Sequence, residues 1–126
     1  MGSFVSEYVL DTVILVDALM GVEAAKRELL ARRRNWISRI SWTEIMAGAK
    51  SDGEDETESF LRFFSVIEVS EEIGRRAALI CSQQSSIKLP DAIIWASAQT
   101  TGRILVTRNT RDFPARMPGI RVPYTL

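Results

Sequence analysis

The chain has 126 residues, of which 46% are hydrophobic and 25% are charged, a composition typical of one globular domain. It contains no histidine, which excludes Ser-His-Asp triads, Cys-His dyads and histidine-ligated zinc. The single cysteine, Cys81, excludes an internal disulfide and any multi-cysteine metal cluster, and it fits a reducing compartment such as the cytoplasm. Any chemistry must therefore use carboxylates, hydroxyls, lysine, arginine or a hard metal ion.

The 16 basic residues balance the 16 acidic residues, so no global field attracts the chain to nucleic acid or to a membrane. We expect neither a targeting segment nor a membrane span, because no apolar run is long enough. The densest basic run is Arg32, Arg33 and Arg34. It lies at the predicted end of a helix, where cations complement the helix dipole, and contact with RNA is the alternative interpretation.

The first half of the chain alternates between β-prone and helix-forming segments. A strand is predicted at Tyr8–Leu10 and a helix at Thr12–Leu19, in which Asp17 is the only charged residue. The segments that follow are a predicted helix over residues 23–34, a strand over 36–40 and a helix over 41–49.

The second half continues this alternation. Residues 50–56 carry an acidic cluster and are predicted to form a solvated loop. Ser70 is the predicted N-cap of a helix that runs to about residue 84, and Pro90 opens a buried helix that Gly102 ends. The remaining predicted elements are a helix over residues 57–64, with Phe60, Leu61, Phe63 and Phe64 on its buried side, and strands over 66–69, 104–106 and 120–122.

This order of elements predicts the fold class. Because strands alternate with helices and no hairpin signal occurs, we expect an α/β domain over residues 1–126. Its sheet should be mainly parallel, with four to five strands and helices on both faces. Core packing is the expected role of most large aromatic side chains, with an interface as the alternative for Trp36, Trp42, Phe60, Phe63 and Phe64.

Four acidic residues fall where such a sheet would bind a ligand. Asp11 ends the first strand, and Glu44 and Asp91 lie in the predicted first turns of two helices. Asp112 lies in the turn after the fourth strand. Open parallel sheets bind ligands at the carboxyl ends of their strands, and right-handed crossovers bring helix starts toward the same edge. We therefore expect these four carboxylates to share one pocket.

Helix capping is the alternative interpretation of each acid. Ser41-x-x-Glu44 has the form of a capping box, and Asn109-x-x-Asp112 resembles one. Asp11 could cap the helix that it precedes, and the helix dipole favours an acid at the position of Asp91.

Asp11 and Asp91 fit the capping interpretation less well than the other two. Both stand beside long apolar runs, where a carboxylate is costly unless it is paired or coordinates a metal. Lys88 is the only basic residue close to Asp91 in sequence. Oxygen ligands without matching cations favour Mg²⁺ or Mn²⁺, so the sequence predicts a site for one of these ions.

Four segments of the chain resemble, in order, the successive acidic motifs of PIN-domain nucleases, and the subgroup that they are most similar to is the VapC and FitB type of bacterial toxin–antitoxin systems. The likeness covers essentially the whole chain and includes its ending, residues 120–124. The segments are Leu10-Asp11-Thr12, Ser41-Trp42-Thr43-Glu44, Leu89-Pro90-Asp91-Ala92-Ile93-Ile94-Trp95-Ala96 and Val106-Thr107-Arg108-Asn109-Thr110-Arg111-Asp112-Phe113.

The resemblance implies a three-layer α/β sandwich and a Mg²⁺- or Mn²⁺-dependent endoribonuclease that acts as a toxin. Its catalytic residues would be Asp11, Glu44, Asp91 and Asp112, with Asp11 and Asp91 holding the main ion. Asn109 stands where some relatives carry an acid, which leaves a second tightly held ion open. Thr12 and Thr107 would orient the acids or a water, and the expected RNA contacts are Arg108 and Arg111.

The same resemblance implies an antitoxin protein as partner and a homodimer. A catalytically silent PIN-like module that binds RNA or protein is the alternative function. A phospho-receiver domain fits less well, because Asp11 has no acidic neighbour and Leu89 separates Lys88 from Pro90. Nucleotide-binding folds are disfavoured because neither glycine-rich phosphate motif occurs.

Overall fold

The computed structural model describes residues 6–49 and 53–126. Within these two ranges, five strands and six helices alternate along the chain as the sequence predicts. Their bounds are β1 (Tyr8–Leu10), α1 (Thr12–Leu19), α2 (Glu23–Leu30), β2 (Trp36–Ser38), α3 (Arg39–Gly48), α4 (Glu54–Leu61), β3 (Ser65–Ile67), α5 (Glu71–Gln83), α6 (Leu89–Thr100), β4 (Ile104–Val106) and β5 (Ile120–Arg121).

The five strands form one sheet in the order β3-β2-β1-β4-β5, and every neighbouring pair is parallel. The chain moves outward from β1 through β2 to β3 and then crosses back to β4 on the other side of β1. The sheet order therefore reverses between β1 and β4, whose last residues Leu10 and Val106 are paired. In open α/β sheets this switch point is where ligands bind.

Helices cover both faces of the sheet because strand residues alternate in direction. Val9 and Leu105 point into a core built with α5 and α6. Their neighbours Leu10 and Val106 point into a second core built with α1, α3 and α4. The predicted three-layer α/β architecture is confirmed. In the part of the chain that the structure describes, no helix has the length and apolarity to cross a bilayer.

The second helix is shorter than the sequence predicts, since it ends at Leu30 and leaves the three consecutive arginines outside it. Arg32 donates a 2.7 Å hydrogen bond to Glu28 and a 2.9 Å bond to Asn35, and its guanidinium lies 4.0 Å from the centre of the Tyr8 ring. These contacts hold the arginine against α2 and the first strand. The prediction of a helix to residue 34 was wrong because it counted only local propensity.

The third helix begins two residues earlier than predicted. Ser38 is its N-cap and accepts a 3.2 Å hydrogen bond from the Ile40 N–H, so the preceding strand ends at Ser38 rather than at residue 40. Ser41 therefore lies inside the helix and is completely buried. The capping-box interpretation of Ser41 and Glu44 was wrong.

The predicted loop over residues 50–56 is helical from Glu54 onward. The helix begins at Glu54, where acidic residues in the first turn suit the helix dipole, and it ends at Leu61 rather than at residue 64. Phe63 consequently lies outside the helix and is 83% exposed, although the sequence predicts it to be buried. Residues 50–52 of the predicted loop lie outside the described residues. The third strand spans Ser65–Ile67 instead of residues 66–69.

Candidate active site

The carboxyl ends of β1 and β4 open into a cleft of about 560 Å³ at the switch point of the sheet. Three of the four predicted acids line it, namely Asp11, Glu44 and Asp91. The other predicted site residues on its walls are Thr12, Arg108, Asn109 and Arg111. Asp112 lines a smaller neighbouring cavity of about 370 Å³, to which Asp91 also contributes.

Asp11 is the most buried of these acids, with 4% of its surface exposed. It is the N-cap residue of α1, but it forms no side-chain capping hydrogen bond. Its carboxylate instead accepts a 2.7 Å hydrogen bond from the hydroxyl of Thr107, which follows β4. Burial raises the pKa of Asp11 to about 6; the Thr107 bond opposes this shift, and the negative charges of Asp91 and Glu44 add to it.

Asp91 lies in the first turn of α6 and is partly buried. Burial raises its pKa, and the nearby charges of Asp112 and Glu44 raise it further. The positive charge of Lys88 lowers the pKa of Asp91. The charges of Asp91 and Glu44 therefore act on Asp11, and those of Asp112 and Glu44 act on Asp91.

Glu44 projects from the second turn of α3 toward α1. The Thr12 hydroxyl lies 2.8 Å from the Glu44 carboxylate and 2.8 Å from the Ser41 hydroxyl. Glu44 is exposed, so its remaining oxygen lone pairs face the cleft solvent. Such a carboxylate can accept a proton or orient a water molecule.

Asp112 is held by the loop in which it lies. Its carboxylate accepts a 3.0 Å hydrogen bond from the Asn109 side-chain amide, and its N–H donates back to Asn109 over 3.4 Å. The Asn109 N–H donates in turn to the Thr107 hydroxyl over 2.9 Å. Because Thr107 also bonds Asp11, one chain of hydrogen bonds connects two of the acids. This arrangement is close to the capping alternative considered for Asn109 and Asp112.

Arg108 is held in a buried ion pair that the sequence analysis missed. Its guanidinium donates two hydrogen bonds to Asp17, of 2.6 and 3.0 Å, and the hydroxyl of Tyr124 donates a third of 2.7 Å. Asp17 is 5% exposed and its pKa is lowered, chiefly by the bond from Arg108. The one available signal was a lone acid in the apolar helix α1, which predicts a partner but does not identify it.

The acids fit a divalent cation by their chemistry, although they do not form a closed cage. Among residues 6–49 and 53–126, no three carboxylates or thiols converge closely enough to hold a metal by themselves. Mg²⁺ keeps several of its waters and is usually bound by one or two carboxylates together with substrate phosphates. Two carboxylates with raised pKa values and open solvent in front of them match that requirement.

Comparison with known proteins gives a consistent result. The family model described as "PIN domain" matches residues 8–117. A toxin–antitoxin complex from Klebsiella pneumoniae contains a chain that is 41% identical, with a TM-score of 0.88, over 95% of this chain and 100% of the other. No significant match is found among curated proteins.

Two more distant structures share the fold. DNA-bound VapBC from Salmonella typhimurium has a chain with 24% identity and a TM-score of 0.75, covering 93% of this chain and 96% of that one. FitAcB from Neisseria gonorrhoeae has a chain with 20% identity and a TM-score of 0.76, covering 94% and 99%. The family model over residues 8–117 and the 41% identical chain from Klebsiella pneumoniae confirm the predicted likeness to toxin–antitoxin proteins, and the chain belongs to the PIN-domain family.

Proposed function

We propose that this chain is a Mg²⁺- or Mn²⁺-dependent endoribonuclease and the toxin of a toxin–antitoxin pair. The observation that carries the proposal is the unbalanced negative charge of Asp11 and Asp91 at the switch point of the sheet. Burial raises the pKa of both groups, and no arginine or lysine of the described residues forms an ion pair with either. A bound divalent cation would remove this imbalance.

Asp11 and Asp91 would hold the cation directly. The chemistry that a bound ion would supply there is polarisation of a phosphoryl oxygen and a lowered pKa of a bound water. Thr107 fixes the carboxylate of Asp11 with its 2.7 Å hydrogen bond. Thr12 fixes Glu44, which would orient the water that attacks the phosphodiester in line.

The remaining predicted residues have supporting roles in the proposal. Asn109 fixes Asp112, which would add negative charge beside Asp91 and assist a transient second ion. Arg111 lines the same cleft and would contact RNA phosphates, since guanidinium groups bind phosphate oxygens in pairs. Arg108 also lines the cleft, but two hydrogen bonds already engage its guanidinium with Asp17.

The partners in this proposal are RNA as substrate and a cognate antitoxin protein as inhibitor. The relative from Klebsiella pneumoniae is a toxin–antitoxin complex, and its similarity to this chain extends over nearly the full length of both. We further infer that residues 1–126 act as one domain in the cytoplasm and assemble as a homodimer.

The test is cleavage of a structured RNA pool by purified protein with Mg²⁺ or Mn²⁺. We expect cleavage that disappears in EDTA and in Asp91→Asn. Asp55→Asn is the matched control, because Asp55 is an exposed acid in the first turn of α4 and lies away from the cleft. Loss of activity in both aspartate variants would argue against a specific carboxylate site.

A catalytically silent RNA- or protein-binding module is the second candidate. It is favoured by the open arrangement of the acids, of which no three converge within the described ranges. Intact RNA in the assay, with antitoxin shown to be absent and no Mn²⁺ binding by calorimetry, would establish this alternative and reject the nuclease.

A further inference from the structure

A second cavity of about 370 Å³ lies directly beside the acid cleft. Asp91, Asn109 and Arg111 line both cavities and therefore form the wall between them. The side pocket is completed by Ser86, Lys88 and Asp112. A chain of nucleotides with one phosphodiester at the acids would place an adjoining unit in this pocket.

The free positive charge around the cleft lies in the side pocket. Arg108 lines the acid cleft, but two hydrogen bonds to buried Asp17 neutralise it. Lys88 and Arg111 are both exposed, and neither forms an ion pair or a side-chain hydrogen bond with any described residue. Their cationic groups are thus available to a ligand, whereas that of Arg108 is already engaged.

The chemistry of the side pocket fits a phosphate better than a base. Its described lining offers an ammonium, a guanidinium and the Ser86 hydroxyl beside the carboxylates of Asp91 and Asp112 and the amide of Asn109. The lining contains no aromatic ring on which a base would stack. Lys88 is also the N-cap residue of α6, so the positive end of that helix dipole adds to the field at the pocket.

We propose that this side pocket is a subsite for the phosphate adjoining the cleaved one, bound by Lys88 and Arg111 with the Ser86 hydroxyl. The proposal rests on the proposed function and adds to it the position of a second phosphate. The two cations in the pocket also reduce the repulsion between the RNA backbone and the carboxylates of Asp91 and Asp112.

The first experiment measures binding without requiring cleavage. Fluorescence anisotropy of a short labelled single-stranded RNA is followed in Ca²⁺ at several salt concentrations. We expect Lys88→Ala and Arg111→Ala each to weaken binding about tenfold and to reduce the salt slope by about one. Lys26→Ala and Arg75→Ala, which remove exposed cations on α2 and α5, are the matched controls and should bind as the unchanged protein does.

The second experiment locates the phosphate. One linkage at a time of a cleaved oligonucleotide is replaced by a neutral methylphosphonate, and kcat/KM is measured. Neutralising one position next to the scissile linkage should cost the unchanged protein about tenfold in kcat/KM. The same replacement should cost Lys88→Ala less, and the double variant Lys88→Ala/Arg111→Ala least, because the contacts to that phosphate are then already absent. Equal additional losses in Lys88→Ala at every position would overturn the subsite.

The two proposals fail in different ways. Cleavage that is normal in both Lys88→Ala and Arg111→Ala rejects the subsite and leaves the nuclease intact. If the unchanged protein does not cleave RNA but both variants bind RNA more weakly, the nuclease is rejected and the side pocket is a phosphate site of an RNA-binding protein. Because both side chains are exposed, unchanged thermal unfolding of the variants should exclude misfolding as the cause.

Discussion

Two equally buried carboxylates, Asp11 and Glu28, have opposite electrostatic environments. Asp11 is 4% exposed and Glu28 is 5% exposed. Glu28 receives two hydrogen bonds from Arg121, of 2.8 and 3.0 Å, and one of 2.7 Å from Arg32, and its pKa is lowered. Asp11 receives a hydroxyl bond from Thr107, and burial raises its pKa to about 6.

The difference separates a structural charge from one that is kept for a ligand. A buried carboxylate is costly unless cations or several hydrogen bonds compensate it. The fold supplies that compensation to Glu28 and thereby ties α2 to β5. The fold does not supply such compensation to Asp11, so the folded chain retains a free-energy cost that an external cation can remove. Substitutions at the two sites should therefore have opposite effects on stability, and only those at Asp11 should greatly reduce activity.

The largest expected effect is on catalysis. Asp11→Asn should reduce cleavage of RNA by about three orders of magnitude, because it removes a charged ligand of the proposed ion. Glu28→Gln should retain activity within about a factor of two, since Glu28 has no part in the cleft. The measurement is kcat/KM on one RNA substrate at saturating Mg²⁺. A severe loss in Glu28→Gln with normal folding would contradict the division between the two regions.

The next effect is on stability at the compensated site. Glu28→Gln should lower the free energy of unfolding by about 3 kcal/mol, because it leaves two arginines without their shared carboxylate. The pKa of Glu28 is lowered, so its contribution is present above the ordinary value of 4.5 and is lost as pH falls through the folded-state value. Urea denaturation at neutral pH and near pH 3 measures both limits. If Glu28→Gln costs as much unfolding free energy near pH 3 as at neutral pH, the loss would come from side-chain packing and not from the charge of Glu28.

The uncompensated site should respond in the opposite direction. Without metal at neutral pH, Asp11→Asn should raise the free energy of unfolding by about 2 kcal/mol, because an amide is not penalised by burial as a carboxylate is. The pKa of Asp11 rises on folding from 3.8 to about 6, so the gain is fully present above pH 6. It should disappear below pH 3.8, where both states are protonated. If Asp11→Asn lowers the free energy of unfolding at neutral pH in EDTA, the Asp11 carboxylate is not an uncompensated buried charge.

Metal binding should depend on pH for the same reason. Mn²⁺ and protons compete for the Asp11 carboxylate, whose pKa is about 6. We expect the Mn²⁺ affinity measured by calorimetry to fall about tenfold per pH unit below pH 6 and to level off above it. A pH-independent affinity between pH 5 and 6 would exclude Asp11 as a ligand with a raised pKa.

Local sequence signals predicted the elements that lie closest to the cleft. The bounds of β1, α1 and β4 match the prediction, and Ser70 caps α5 as expected. The predicted helix bounds were wrong where an N-cap or a tertiary contact outweighed the helix propensity of the local sequence. Ser38 caps α3 and begins it two residues early, and α2 ends early at Leu30, after which Arg32 contacts Tyr8 of β1. Whether local propensity or a tertiary contact sets the end of a helix depends on the tertiary structure, which cannot be read from a single sequence.

The candidate site was predicted as a group of residues and not as a set of contacts. The order of four acids along a parallel sheet was enough to bring Asp11, Glu44 and Asp91 into one cleft. The ion pair of Asp17 with Arg108 joins residues 91 positions apart, and its hydroxyl bond joins residues 107 apart. No local pattern encodes pairs at that separation. The consequence for Arg108, whose charge is neutralised, therefore became visible only in the structure.

The smallest expected effect concerns that neutralised pair. Tyr124→Phe removes one neutral donor from Asp17 and leaves both bonds from Arg108, so it should cost about 1 kcal/mol of unfolding free energy. Asp17→Asn removes the charge that holds Arg108 and should cost more. If Asp17 is a compensated carboxylate like Glu28, Tyr124→Phe should cost less unfolding free energy in the Asp17→Asn variant than in the unchanged protein. The reason is that Tyr124 and Asp17 belong to one hydrogen-bond network. Strict additivity in this double-mutant cycle would mean that the Tyr124 hydroxyl contributes little to the pair, and that two arginine bonds alone compensate the buried carboxylate.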